Sequence, residues 1–252
     1  MSGHTDRQYS RYNKRNNGER QGKKKRRMLS FAFAPLLIFL LVVIVLYSQR
    51  TIIDVAVIKQ EHRYPTGCES VTTVMALNNL GIDITVDEFI DNYLDMGRLP
   101  FSDESGNTYG GSPWRAFLGS PYSEDGFGCY APVIANSISK FIDYYGAFEV
   151  KTLYGEPLEK LCSNYLDNGI PVILWGTMEM KSPRVSTFWI DEETGERIDW
   201  IAPMHCLLLV GYDSFFYYFN DPQKGKCVYK KSDVEVAYNG MYMQAVVVYP
   251  QG

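Results

Sequence analysis

An uncharged run of twenty residues, from Met28 to Tyr47, is the feature that most limits how this chain can fold. It reads MLSFAFAPLLIFLLVVIVLY, and Ser30 is its only clearly polar residue. As a helix, about 20 residues reach roughly 30 Å, the thickness of the hydrocarbon core of a membrane. Five consecutive cations, residues 23–27, precede the run. By the positive-inside rule, the sequence predicts a transmembrane helix over residues 28–48, with the N-terminus in the cytoplasm and the C-terminal part outside the cell.

A cleaved signal peptide and a buried core helix are the alternatives to this anchor. The apolar region of a signal peptide usually has only about 7–15 residues and ends near a small-residue cleavage site. Here the run is longer, and Ser48-Gln49-Arg50 follows it without an A-x-A pattern. The five cations at its start do not suit a core helix. The sequence therefore favours a single-pass protein of the cell membrane.

Charge divides the chain at the same place. Residues 1–27 hold ten Lys/Arg against two acidic residues, whereas residues 51–252 hold 14 Lys/Arg against 27 Asp/Glu. The basic tail, 1–27, is poor in apolar residues and is predicted to be disordered. The acidic balance of the outer part, 49–252, argues against a nucleic-acid partner, because phosphate contacts need cations.

The outer part carries helix signals first and strand signals later. Helical patterns cover 67–80, 85–94, 131–145 and 157–166, with a capping box, Thr85 to Glu88, at the start of the second. Strand patterns cover 52–59, 170–174, 188–191, 197–201, 207–210, 215–220, 228–230 and 244–249. Residues 95–129 are rich in Gly, Ser and Pro and predict an ordered loop packed over the core. This order predicts an α+β fold, with N-terminal helices packed on a C-terminal antiparallel sheet.

Cys68 is the candidate nucleophile, because it stands at the predicted start of a helix in Pro65-Thr66-Gly67-Cys68-Glu69-Ser70. The free N–H groups and positive end of a helix stabilise a thiolate, so we expect the pKa of Cys68 to be lowered. A thiolate is the form that attacks a carbonyl carbon. The alternative is a small buried residue, which is what we expect of the other four cysteines unless they form disulfides: Cys129, Cys162, Cys206 and Cys227.

Strand register predicts that His205 and Asp221 lie side by side. A three-residue turn at 212–214 pairs them across an antiparallel hairpin. The carboxylate can then fix the imidazole tautomer and leave the other ring nitrogen free to face Cys68. His62, the other histidine of the outer part, is predicted to be in a loop with no acid beside it. Gln60 completes the candidate site as an amide donor for the oxyanion.

The order of Gln60, Cys68, His205 and Asp221 is the papain-like one. Around them the sequence resembles stand-alone members of cysteine-peptidase family 39-like, which are relatives of the bacteriocin-leader peptidases that cut after double glycine. The segments that carry the resemblance are Gln60–x7–Cys68, 65–70, 111–122, 126–132, 171–175 and 205–222. The resemblance implies a papain-like fold with Cys68 as nucleophile, His205 as general base and acid, Asp221 as orienting residue and Gln60 as oxyanion donor.

The predicted function is therefore an extracellular cysteine peptidase that needs neither cofactor nor metal. Its expected partners are a peptide or protein substrate, the membrane, and the cell wall. Two alternatives stay open: the same triad cutting peptide or amide bonds of the cell wall, and a non-catalytic surface interaction module on the same fold. The acidic run Asp191–Glu196 is predicted to be a solvated hairpin tip.

Overall fold

The computed structural model describes residues 35–43 and 50–251, and the chain divides into two units, Met1–Gln49 and Arg50–Gly252. In the first unit, residues 35–43 form a helix, α1, whose apolar side chains are exposed. The rest of the predicted transmembrane helix, 28–34 and 44–48, lies outside the described residues, as does the basic tail 1–27. Among the residues that are described, no helix is both long and apolar enough to cross a membrane.

Five α-helices lie in the second unit: α2 (Cys68–Asn79), α3 (Val86–Tyr93), α4 (Ala131–Tyr145), α5 (Leu158–Asn164) and α6 (Lys231–Gly240). The first four begin and end within about two residues of the predicted bounds. The capping box of α3 is formed, because Glu88 N donates to Thr85 Oγ1 at 3.2 Å and Thr85 N donates to Glu88 Oε2 at 2.9 Å. Gly146 ends α4 with a φ of +65°, in the left-handed region that favours glycine.

The strands, in chain order, are β1 (Thr51–Ile52), β2 (Met96–Gly97), β3 (Phe101–Ser102), β4 (Thr108–Gly110), β5 (Phe117–Leu118), β6 (Phe148–Tyr154), β7 (Val172–Thr177), β8 (Arg184–Asp191), β9 (Arg197–Ala202), β10 (Met204–Tyr212), β11 (Phe216–Asp221), β12 (Gly225–Lys230) and β13 (Gln244–Pro250). Seven form one antiparallel sheet in the order β12-β11-β10-β7-β13-β6, with β1 also paired to β10. Strands β3-β4-β8-β9 form a second sheet, and β2 pairs with β5.

Hydrophobic cores cover both faces of the seven-stranded sheet. In β10, Cys206 and Leu208 belong to a core with α2, α3 and α4, whereas Leu207 and Leu209 belong to a core with α5 and α6. The split follows from the alternation of side chains along a strand. Strand β10 is thus buried on both faces, and the α+β class with a large antiparallel sheet is confirmed.

Several local predictions are wrong. A strand was predicted over 52–59, but the strand that forms there, β1, covers only Thr51–Ile52. Strand β6 was not predicted. The 95–129 region contains four short strands, β2 to β5, rather than a continuous loop. The acidic run does turn between β8 and β9, but Asp191 is buried. Arg115 binds both of its oxygens, at 2.7 and 2.8 Å, so the solvated tip begins after this residue.

Candidate active site

Cys68 is the first residue of α2 and is almost fully buried. The preceding turn comes very close to the helix start at Gly67. A Cβ at Gly67 would lie 2.9 Å from Tyr64 Cβ and 3.2 Å from Pro121 Cβ. The glycine therefore permits a close approach of two backbone segments that a side chain would prevent.

The Cys68 thiol donates a hydrogen bond to Glu69 Oε2 at 3.2 Å. Burial raises the pKa of Cys68 well above its usual value, and the negative charge of Glu69 raises it further. A hydrogen bond from the main chain of Cys206 acts in the opposite direction, but the pKa of Cys68 stays raised. The predicted lowering is therefore wrong, because desolvation of the thiolate outweighs the partial charge at the helix start.

Glu69 is a residue of the site that the sequence analysis missed. Its side chain is fully buried, and its Oε1 accepts a hydrogen bond from Cys129 N at 2.8 Å. Burial raises the pKa of Glu69 to about 7, although the hydrogen bonds from the Cys129 and Glu69 main chain and from the Cys68 thiol lower it. A signal for this burial was present: Glu69 is the only charged residue of α2, and a helix so poor in charge is typically buried all round.

His205 and Asp221 form a buried pair. His205 Nε2 lies 2.9 Å from Asp221 Oδ1, and both side chains are nearly inaccessible. Burial raises the pKa of Asp221, but the hydrogen bond and charge of His205, with the N–H groups of Gln223 and Lys224, hold it below its usual value. An ionised carboxylate can only accept, which places a proton on Nε2. Nδ1 is then left as the basic nitrogen, and among the described residues it has no hydrogen-bond partner.

The predicted register of this pair is wrong by two residues, although the pair itself forms. Leu208 lies opposite Asn220 and Leu209 opposite Phe219, which puts Asp221 opposite residue 207 rather than 205. The offset comes from the turn, which lies between the paired residues Tyr212 and Tyr217, later in the chain than predicted, and a β-bulge between Leu209 and Gly211 removes only part of it. His205 and Asp221 still share a face, and such diagonal neighbours remain within reach of long side chains.

Gln60 lies beside Cys68 in a small cleft. Its Nε2 donates to Pro65 O at 3.1 Å, and its Oε1 is buried with no partner among the described residues. The main chain of Gln60 is held by Pro222, because Gln60 N donates to Pro222 O at 2.9 Å. This bond ties the Gln60 segment to the residue after Asp221. His62 is exposed in the turn that follows Gln60.

The cleft has a volume of about 190 Å³. None of the residues that line it is charged: Gln60, Pro65, Thr66, Cys68, Gly126, Phe127, Met178, Trp200, Ala202, Pro203, Met204 and Gln223. Cys68 thus borders a cleft large enough for one side chain.

Of the four predicted catalytic residues, the structure joins two by a hydrogen bond, His205 and Asp221. The Cys68 thiol is directed to Glu69, and His205 Nδ1 makes no hydrogen bond to it within the described part of the chain. All five cysteines are unpaired, so none of the possible disulfides is formed. The arrangement supplies an oriented imidazole and a thiol at a cleft, with their direct contact not made.

Comparison with known proteins places this site in a family. A profile of the Peptidase C39-like family matches residues 52–246. The chain belongs to the Peptidase C39-like family. The match covers all four residues singled out in the sequence and nearly all of the second unit.

One curated protein and two solved structures are similar to this chain over most of its length. YvpB of Bacillus subtilis, an uncharacterized protein, is 26% identical over 189 residues, covering 74% of this chain and 70% of its own. A crystal structure from Bacillus anthracis that bears the provisional name of a C39-like peptidase has a TM-score of 0.68 at 23% identity, covering 81% of this chain and 98% of its own. This likeness shows the fold. A double glycine motif protease from an AMS/PCAT transporter, solved in complex with the leader peptide, has a TM-score of 0.46 at 15% identity, covering 80% and 95%.

Proposed function

We propose that the protein is a cysteine peptidase in which Cys68, His205, Asp221 and Gln60 act on a peptide bond. The observation that carries the proposal is the His205–Asp221 hydrogen bond, which occupies Nε2 and leaves Nδ1 without a partner. An imidazole held in one tautomer by a carboxylate is the arrangement that general-base catalysis uses. Membership of the Peptidase C39-like family supports the same activity.

In the proposed reaction, His205 Nδ1 takes the proton of the Cys68 thiol as the sulfur bonds to the carbonyl carbon. The C–N bond then breaks, and the imidazolium gives its proton to the leaving amine. Water, deprotonated by His205, attacks the resulting thioester, and the C–S bond breaks to restore the thiol. The Gln60 amide and the Cys68 main-chain N–H are the proposed donors to the oxyanion in both steps.

This reaction requires the Cys68 sulfur to leave Glu69 and approach His205 Nδ1. Catalytic hydrogen bonds are often long or misaligned before substrate binds, and they tighten in the complex. The contact that must break is a single S–H···O bond of 3.2 Å. The burial of Nδ1 without a partner supports the proposal, because a buried polar atom left unpaired is costly unless another group satisfies it.

Replacing Cys68 by alanine tests the activity directly. We expect hydrolysis of an unstructured protein such as denatured casein to be lost, together with labelling by a thiol-directed epoxide. Cys227→Ala is the matched control, because its half-buried thiol is not part of the cleft and its removal should leave turnover intact. Turnover by Cys68→Ala equal to that of the parent chain would contradict the proposal. Cleavage of purified wall fragments but not of casein would point to the cell-wall alternative.

A non-catalytic interaction module is the second candidate, and one observation favours it. The Cys68 thiol is bound to Glu69 and its pKa is raised, which is the state of an unreactive buried cysteine. The rate of iodoacetamide labelling near neutral pH separates the two. Labelling of Cys68 no faster than of the buried Cys162 would support the module.

The membrane anchor also belongs to this proposal. It rests on the uncharged run 28–47 and the five cations before it, which the sequence supplies. Protease added to intact cells should then release the part of the chain after residue 50. Recovery of the full-length chain in the supernatant after membranes are pelleted would overturn the anchor.

A further inference from the structure

The cleft beside Cys68 carries no charge on any of its lining side chains. Its twelve lining residues are apolar or uncharged, and the thiol is its only titratable group. This absence is unusual for a region, 51–252, in which acidic residues outnumber basic ones by 27 to 14. The cleft therefore differs in chemistry from the surface around it.

Three charged residues that directly follow lining residues in sequence, Glu69, Glu179 and Lys224, are already bound to other groups. Glu179 follows the lining residue Met178, and its carboxylate accepts from Lys224 Nζ at 2.8 Å and from Lys181 Nζ at 2.7 Å. Lys224 follows the lining residue Gln223, so the same ion pair also engages the cation on that side. Glu69 is held by Cys129 N and the Cys68 thiol. A charged side chain entering the cleft would find no free counter-charge among these groups.

Trp200 forms a fixed apolar wall of the cleft. Its ring centroid lies 5.7 Å from that of Tyr130, in a stacked arrangement, and 5.3 Å from that of Phe127, in an edge-to-face arrangement. The Trp189 ring is tilted against it, with the centroids 6.2 Å apart. Aromatic rings pack favourably in such stacked and edge-to-face arrangements. Met178 and Met204 complete the lining with flexible side chains that adjust to irregular shapes.

We propose that this cleft binds one bulky, uncharged apolar side chain of the substrate, from a residue next to the bond that Cys68 attacks. The proposal rests on the proposed peptidase function. A dry apolar cavity of about 150 Å³ is enough to hold benzene, so a cleft of about 190 Å³ accepts a leucine, methionine or phenylalanine side chain. A carboxylate or ammonium placed there loses its hydration without gaining a partner, which opposes its binding.

A matched series of peptides tests the preference. The peptides differ only in the residue on one side of a single cleavable bond, which is Leu, Phe, Gly, Asp or Lys, and a second series varies the other side. We expect kcat/KM for Leu or Phe to exceed that for Gly, Asp and Lys by at least about tenfold on one of the two sides. Equal values across both series, or a preference for Gly or a charged residue, would overturn the proposal.

Labelling of Cys68 provides a readout that does not depend on turnover. Peptide vinyl sulfones carrying Leu or Asp in the varied position react with the thiol, and mass spectrometry gives the rate at Cys68. Faster labelling by the Leu probe supports the cleft even if no peptide is hydrolysed, in which case only the proposed peptidase activity fails. Equal labelling rates with hydrolysis intact would contradict the cleft and leave the activity standing.

Met178 offers a change of specificity. Its side chain is 37% exposed at the edge of the cleft, so a polar replacement there avoids the buried core. In full-length Met178→Glu, we expect the Lys peptide to gain at least about tenfold relative to the Leu peptide, because the new carboxylate supplies the missing counter-charge. Met178→Leu is the control of similar volume and should keep the parent preference. An unchanged ratio in Met178→Glu would argue against Met178 as part of the site.

Discussion

Replacing Glu69 by glutamine should stabilise the protein at neutral pH more than at acid pH. In the folded chain the pKa of Glu69 rises from 4.5 to about 7, chiefly because the carboxyl is buried. The ionised form is thus disfavoured by folding. The loss of folding free energy caused by burying the ionised carboxyl is absent below about pH 4.5, grows as pH rises, and is complete above about pH 7. The glutamine variant carries no such penalty.

The size of the effect follows from the same pKa. At about 1.4 kcal/mol for each pH unit, the rise from 4.5 to about 7 corresponds to about 3 kcal/mol. The free energy of unfolding of Glu69→Gln, less that of the parent chain, should increase by about this amount between pH 4 and pH 8. The glutamine oxygen can still accept from Cys129 N, so that part of the local structure remains supported.

Urea unfolding of the purified full-length chain at several pH values measures this difference. Other carboxylates titrate equally in both proteins and cancel. Glu159→Gln is the matched control, because Glu159 is exposed on α5 and its loss should change stability by less than about 0.5 kcal/mol. A difference between Glu69→Gln and the parent that is constant from pH 4 to pH 8 would refute the reasoning.

Two further predictions concern the paired carboxylates. Asp221→Ala should lower kcat/KM by about 100-fold or more, since His205 Nε2 loses its acceptor, whereas Asp221→Asn should retain more activity because its oxygen still accepts the N–H. Equal losses in the two variants would exclude orientation by this hydrogen bond. Arg115→Ala should cost about 2 kcal/mol in urea unfolding, because it leaves buried Asp191 without its cation. Arg197→Ala, which removes an exposed ion pair with Asp199, should cost well under 1 kcal/mol, and a comparable loss in both would contradict the role of burial.

The helices and most strands were predictable because their signals are local. The capping box at Thr85 and the glycine after α4 each depend on residues close together in the chain. Strand β6 was missed although Phe148-Glu149-Val150-Lys151 alternates apolar and polar residues, which is the pattern of a strand with one face covered. It is defined by pairing with β13, about a hundred residues later, and such a partner leaves no local signal.

The candidate site was predictable in its residues more than in its contacts. His205 and Asp221 meet as expected, although by a different register, because the alternation of side chains does not fix the position and length of the turn between β10 and β11. The environment of Cys68 was predicted wrongly. The position at a helix start was visible in the sequence, but the burial that raises the thiol pKa depends on the packing of distant segments around it. Glu69 was missed although the lack of any other charge on α2 was a sequence signal for its burial.

The Glu69 carboxylate joins two stretches of the polypeptide that are sixty residues apart. One oxygen holds the main chain at Cys129, and the other holds the sulfur of Cys68. Gly128 makes room for it, because a Cβ at this position would lie 2.5 Å from Glu69 Oε1. A shift of the backbone at 128–129 would therefore move the Glu69 carboxylate and with it the acceptor of the Cys68 thiol, without any movement of helix α2.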